Sequence, residues 1–192
     1  MAPQKEELYV FIDNSFLYIE GYKFVNQVAK TNGKRKPQVD YFKFVKFIEK
    51  FGKPRRIVLV GSELAGNLIT NCQRSGIEVH TLPKYPDFKT GKNKEKGVDM
   101  KIGWEIAKTI FNNQESNVGK KIVLCTGDKD FASILPDIHT SGWAFELWLW
   151  HSSYSEVYAQ QVTVFGEVRE LNSEWKEFIK LVPVKAKPSA NK

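Results

Sequence analysis

Five short apolar runs most constrain the fold: Leu8 to Ile12, Ile57 to Val60, Ile77 to Leu82, Ile122 to Cys125 and Ala144 to Trp150. Each is too short for a buried helix and rich in β-formers, so each reads as a strand. The segments between them carry helical periodicity instead. Asn14 and Ser15 suit a helix start before Phe16-Leu17-Tyr18-Ile19. Asp40 reads as an N-cap before a run with apolar residues at 41, 44, 45 and 48, while Lys43 and Lys46 fall on its solvated face. Ser62 is expected to cap a helix through Arg74, stopped by Gly76. Between Asp99 and Phe111, Ile102, Gly103, Ile106, Ala107 and Ile110 form the expected inward stripe, with Asp99 in the first turn close to it. Phe131, Ile134, Leu135 and Ile138 give one more helical face, distorted near Pro136. Strands alternating with helices define an α/β chain with a mostly parallel sheet and right-handed crossovers.

The rest is less regular. Residues 29–39 are polar and read as a loop or insertion. Val162 to Phe165 is expected to be a sixth short strand, and Ser173 to Leu181 a last helix with Trp175, Phe178 and Ile179 inward. The 192 residues suit one domain over 1–184, followed by a polar tail, 185–192, expected to be disordered.

In a parallel sheet, ligands bind outside the carboxyl ends of the strands. Asp13, Asp128 and Asp130 follow predicted strands, and Asp99 begins a helix that would reach the same rim. Asp128 and Asp130 are two apart, so in extended chain both point to one side. Each acid alone is ordinary, because Asp often caps helices and complements their dipoles. Together they would repel unless a cation neutralised them. An oxygen-only donor set favours Mg2+ or Mn2+ and disfavours zinc. Such an ion can generate a hydroxide nucleophile and stabilise charge on a phosphate.

The formal charge of +7 favours a polyanionic partner. Lys89, Lys92, Lys94 and Lys96 follow Tyr85 and Phe88 in a segment kept flexible by Gly91 and Asn93, with only Glu95 opposing them. The segment is either a solvated loop or a phosphate-contacting arm beside aromatic stacking surfaces. Trp148 and Trp150 are read as core residues, with base stacking the alternative. No apolar run approaches a membrane span and no apolar signal core opens the chain, so an intracellular protein is expected. Two cysteines, Cys72 and Cys125, make neither a zinc site nor a disulfide framework, and Cys125 is expected to be buried.

Phe-Ile-Asp-Asn-Ser at 11–15, Lys-Gly-Val-Asp at 96–99 and Thr-Gly-Asp-Lys-Asp-Phe at 126–131, in that order, resemble the NYN domain family, a branch of the PIN-like ribonuclease fold. The resemblance spans residues 9 to 131, and Val157-Tyr158-Ala159 with Val164-Phe165 resembles the family's last element. It implies a Rossmann-like three-layer sandwich of strand order 3-2-1-4-5 and metal-dependent cleavage of single-stranded RNA. It implies that Asp13, Asp99 and Asp128 hold the metal, with Asp130 as ligand or water-positioner. Asn14 and Ser15 would orient carboxylates or contact phosphate, Thr126 would contact the metal shell, and Lys96 would hold a substrate phosphate. Three departures stand out. Glu105 occupies the place of a further family acid, yet helical spacing points it away from Asp99. The amide after the first aspartate is shifted forward to Asn14. Lys129 lies between the last two acids and could compete with a cation.

Two other classes are weighed against an endoribonuclease. A PIN-like module could hold RNA or a protein partner, or pair as a homodimer, without cutting. A phosphoryl-transfer protein is disfavoured: Trp150-His151 stands where a receiver needs lysine, and Asp13-Asn14-Ser15 lacks the Asp-x-Asp of haloacid-type phosphatases.

Overall fold

The computed structural model describes residues 6–87, 91–114, 119–151 and 156–184. Its central strand is β1 (Glu7–Asp13), buried from Leu8 onward. A π-helical turn, Phe16–Glu20, leads from it into α1 (Gly21–Val28). There follow β2 (Arg35–Val39), α2 (Tyr41–Ile48), β3 (Lys53–Ser62), α3 (Gly66–Arg74), β4 (Glu78–Leu82), and a short pair, β5 (Lys84–Pro86) and β6 (Asn93–Glu95). Next come α4 (Val98–Phe111), β7 (Lys120–Cys125), a 3-10 turn at Lys129–Ile134, α5 (Leu135–Thr140) and β8 (Ala144–Leu149). The described chain closes with α6 (Glu156–Phe165), β9 (Glu167–Glu170), α7 (Trp175–Phe178) and β10 (Ile179–Pro183).

Six strands form one sheet in the order β4-β3-β1-β7-β8-β9, every neighbouring pair parallel. The five strands read from the sequence take the expected 3-2-1-4-5 order, and β9 adds a sixth at the edge. The fold is therefore an α/β, Rossmann-like sandwich consistent with a PIN-like architecture. Trp148 and Trp150 are both fully buried, which settles their role as core residues. Trp148 packs edge-on against Phe44, Phe47 and Phe51, with centroids 5.4 to 6.2 Å away. Trp150 stacks on Phe24 at 5.5 Å. It also fills the space beside Gly21, where a Cβ would come within 2.8 Å of its ring. Cys72 and Cys125 are buried free thiols.

Several expectations are corrected. The segment 35–39 is not loop: Pro37 and Val39 alternate inward, and β2 pairs antiparallel with β10. The last helix is only α7, because the chain turns extended at Ile179 to make that pairing. Val162 to Phe165 lies in α6, not in a strand; packing of Val162 into the core overrides the β propensity of the run. β3 continues through Ser62, so this serine is no helix cap and α3 begins at Gly66. The stretch 83–96 contains an ordered hairpin: Lys84 pairs with Glu95 and Tyr85 with Lys94. The inward face of α4 is rotated from the expected stripe. It buries Val98, Ile102, Glu105, Ile106 and Thr109, while Ala107 is exposed. The tail 185–192 and Lys89 lie outside the described residues.

Candidate active site

Asp13 ends the central strand and is 8% exposed. Its Oδ1 accepts hydrogen bonds from the Ser15 N–H at 2.8 Å, the Ser15 hydroxyl at 2.7 Å and the Phe16 N–H at 3.4 Å. Asp13 itself therefore caps the helical segment, a job the sequence reading gave to Asn14 and Ser15. The three donors meet one oxygen and leave Oδ2 outside this set. Burial still raises the carboxyl above its ordinary range against these three bonds, and the charge of Asp128 adds to the rise.

Ile12 pairs with Cys125, so the next residue along β7, the fully buried Thr126, comes beside Asp13. The Thr126 Oγ1 accepts from the Asp128 N–H at 3.2 Å, and Asp128 Oδ1 accepts from the Asp130 N–H at 2.9 Å. Asp128 thus caps the 3-10 turn, with Asp130 in its first turn. The two acids are set by a helical turn rather than by the extended chain expected from their spacing. Asp130 and Lys129 are exposed and Asp128 is half-buried.

The fourth acid arrives from across the sheet. Gly97 has φ of +81°, a left-handed conformation that lets β6 turn directly into α4. Asp99 then occupies the first turn, exposed to solvent rather than facing inward. Its carboxyl is raised to about 6: partial burial comes first, followed by repulsion from Asp128, Asp13 and Asp130, with Glu95 last. Four carboxylates from three elements therefore lie within one electrostatic neighbourhood. Glu95 belongs to it too, a participant that the sequence reading counted only against the lysines.

The flanking residues divide. Ser15 is occupied in orienting Asp13. The Asn14 side-chain oxygen accepts from the Tyr41 hydroxyl at 3.1 Å, tying the residue after Asp13 to α2. Lys94 pairs with Asp87 at 2.5 Å, an acid that the sequence reading left out. Lys92 and Lys96 are exposed, and Lys96 directly precedes Gly97 at the start of α4. Ser62, expected to be a helix cap, is buried, and its Oγ has no hydrogen-bond partner among the described residues. It lies two residues beyond Val60, the β3 partner of Asp13.

Among the described residues, the metal-like trio with ligand atoms within 4.8 Å of one another is Glu78, His80 and Glu105. No three of the aspartates come that close. The trio makes a possible carboxylate site, but cations already fill it. The fully buried Glu105 pairs with Arg56 at 2.6 Å, Lys101 at 2.8 Å and Lys108 at 2.8 Å, and Arg56 also holds Glu78 at 2.7 Å. Burial alone would raise the Glu105 carboxyl; its three cationic partners overcome that and bring it down to about 2. Glu105 is six residues from Asp99, about 9 Å along α4 and about 120° around it.

A Rossmann-like parallel sheet with acids following its strands is consistent with the PIN-like class of α/β proteins. Within that class the chain belongs to the NYN domain family, which it matches over residues 7–167. NYN domains are a PIN-like nuclease family. The fold is also similar to a crystal structure of a protein of unknown function, VPA0982 from Vibrio parahaemolyticus. That likeness has a TM-score of 0.64 at 13% identity, covering 94% of this chain and 99% of that one. No curated protein matches the chain by sequence. Among the described residues, no helix is long and apolar enough to cross a membrane.

Proposed function

We propose that this chain is a divalent-metal-dependent endoribonuclease acting on single-stranded RNA inside the cell, carried by one domain over residues 1–184. The reading is supported by Asp13 ending β1, Asp128 and Asp130 in the turn after β7 and Asp99 in the first turn of α4, with the Asp99 carboxyl raised to about 6 by partial burial and by repulsion from the other three. The donor set suits Mg2+ or Mn2+, since it offers oxygens alone and its mutual repulsion is what a cation relieves. Asp13, Asp99 and Asp128 would hold the ion, with Asp130 as a further ligand or as the group that orients water. A bound ion would supply an activated hydroxide and neutralise charge on the scissile phosphate. Ser15 keeps the Asp13 carboxylate in one orientation through two hydrogen bonds. Thr126 shapes the turn that presents Asp128. The net charge of +7 and the exposed Lys92 and Lys96 attract and hold the RNA backbone, and Lys89 and Lys94 belong to the same lysine-rich stretch of the sequence.

A second reading, an RNA-binding module without cleavage, is favoured by one observation: no three aspartates have ligand atoms within 4.8 Å. Incubation with labelled single-stranded RNA under Mn2+, Mg2+ and EDTA separates the two. The nuclease reading expects fragments with either ion, none with EDTA, and a loss of at least about a hundredfold in Asp128→Asn. Intact RNA that shifts on a gel regardless of metal would support the binding module.

A further inference from the structure

We propose that the outer face of α4 is a two-fold interface between copies of this chain. The inward face of α4 is satisfied by the sheet. Its opposite face should be polar in a helix that meets only solvent. Instead it presents Met100, Trp104, Ala107 and Phe111, of which Met100 is 79%, Trp104 62% and Phe111 71% exposed. The steps between them are four, three and four residues, the spacing of a seam made to pair with another helix. No charged residue lies on the seam. Lys101 and Lys108 flank it, and both are turned to Glu105.

Gly103 gives a second, independent sign. It sits in the middle of α4, where glycine costs about 1 kcal/mol relative to alanine. Among the described residues a Cβ there would meet nothing within 4 Å, so their packing gives no reason for it. A partner helix approaching closely does. Beside Gly103 a groove of about 300 Å³ runs between α4 and α5, lined by Ile106, Ile110, Ile134 and Ile138. Exposed aromatic knobs and an apolar groove adjoin on one surface, the self-complementary arrangement that two-fold pairing needs.

The area fits a second copy. An aromatic side chain contributes about 150–250 Å², so Trp104 and Phe111 at their exposures offer roughly 100–170 Å² each. With Met100 and the groove walls the face reaches on the order of 500 Å² per copy, the apolar core of an interface needing about 800 Å² a side.

Sedimentation equilibrium of the whole chain between about 1 and 100 µM tests this without reading any activity. A dimer is expected, with self-association weakened more than about thirtyfold in Trp104→Glu and weakened also in Gly103→Leu, which fills the open space beside the seam. Circular dichroism should be unchanged in both, because neither position supports the core. A wild-type chain that stays monomeric over the range, or variants that associate as it does, would overturn the proposal. A monomer whose RNA affinity falls in Trp104→Glu would make the face a base-stacking platform instead.

Discussion

Asp99 is the residue at which the rim's electrostatics are most visible. Its carboxyl titrates near 6 in the folded chain, against 3.8 ordinarily. Between those values the folded state binds more protons than the unfolded state, so stability falls as pH rises through that window. Asp99→Asn should therefore stabilise the metal-free chain at neutral pH, by about 1 kcal/mol once solvent screening of an exposed group is allowed for. Near pH 4 the substitution should change little, since the carboxyl is already protonated there. Thermal melts in EDTA at both pH values measure the difference; a neutral-pH loss of stability would mean that Asp99 is not under repulsion. The positions of Asp13 and Asp128 were legible from sequence because each follows an apolar run that forms a parallel strand. The part of Glu95 was not legible, because it comes from the charge it places near Asp99 at the start of α4.

α4 shows where helical periodicity misleads at the scale of the element. The apolar residues favoured a stripe through Gly103 and Ala107, but the helix turns Glu105 and Thr109 inward. The Arg56 guanidinium donates to the Thr109 hydroxyl at 2.7 Å and to Glu105, which makes burial of these polar groups tolerable. Only the partner on β3 could have revealed this. Glu105→Gln should cost about 3 kcal/mol in chemical denaturation, because it leaves partly buried cations short of their counter-charge. The proposed cleavage, per folded molecule, should be unaffected, since Glu105 lies about 9 Å along α4 from Asp99 and faces another way. The wild-type contribution follows from a folded value of about 2 against 4.5 ordinarily: it is complete above the ordinary value and is lost as pH falls toward 2. Undiminished stability in the variant would show that Arg56, Lys101 and Lys108 need no counter-charge from Glu105.

Across the whole molecule, the parallel sheet was readable because each central strand is a continuous apolar run, as burial on both faces demands. The antiparallel clasp of β2 and β10 was not. Its strands are charged and half exposed, and each becomes a strand only by meeting the other across the chain, with Ile179 opposite Val39. The clasp carries Phe178 into the aromatic cluster, 4.9 Å from the ring of Phe44 and 5.2 Å from that of Phe47. Phe178→Ala should remove about 4 kcal/mol and lower the melting temperature by roughly 8–16 °C. A shift of a degree or two would place the cluster's support elsewhere.

The π-helical turn after β1 has a consequence for how far its length can vary. At one end of it Asp13 closes β1 and is held by Ser15; at the other Gly21 lies against the indole of Trp150. Between these anchors, Phe16 and Leu17 point inward while Tyr18 and Ile19 face solvent. Substitutions on the outer positions leave the core contacts in place. A deletion or insertion of one residue does not, because it rotates one anchor against the other. Residues 14–20 thus act as a ruler whose length matters more to the fold than the identity of its outward side chains.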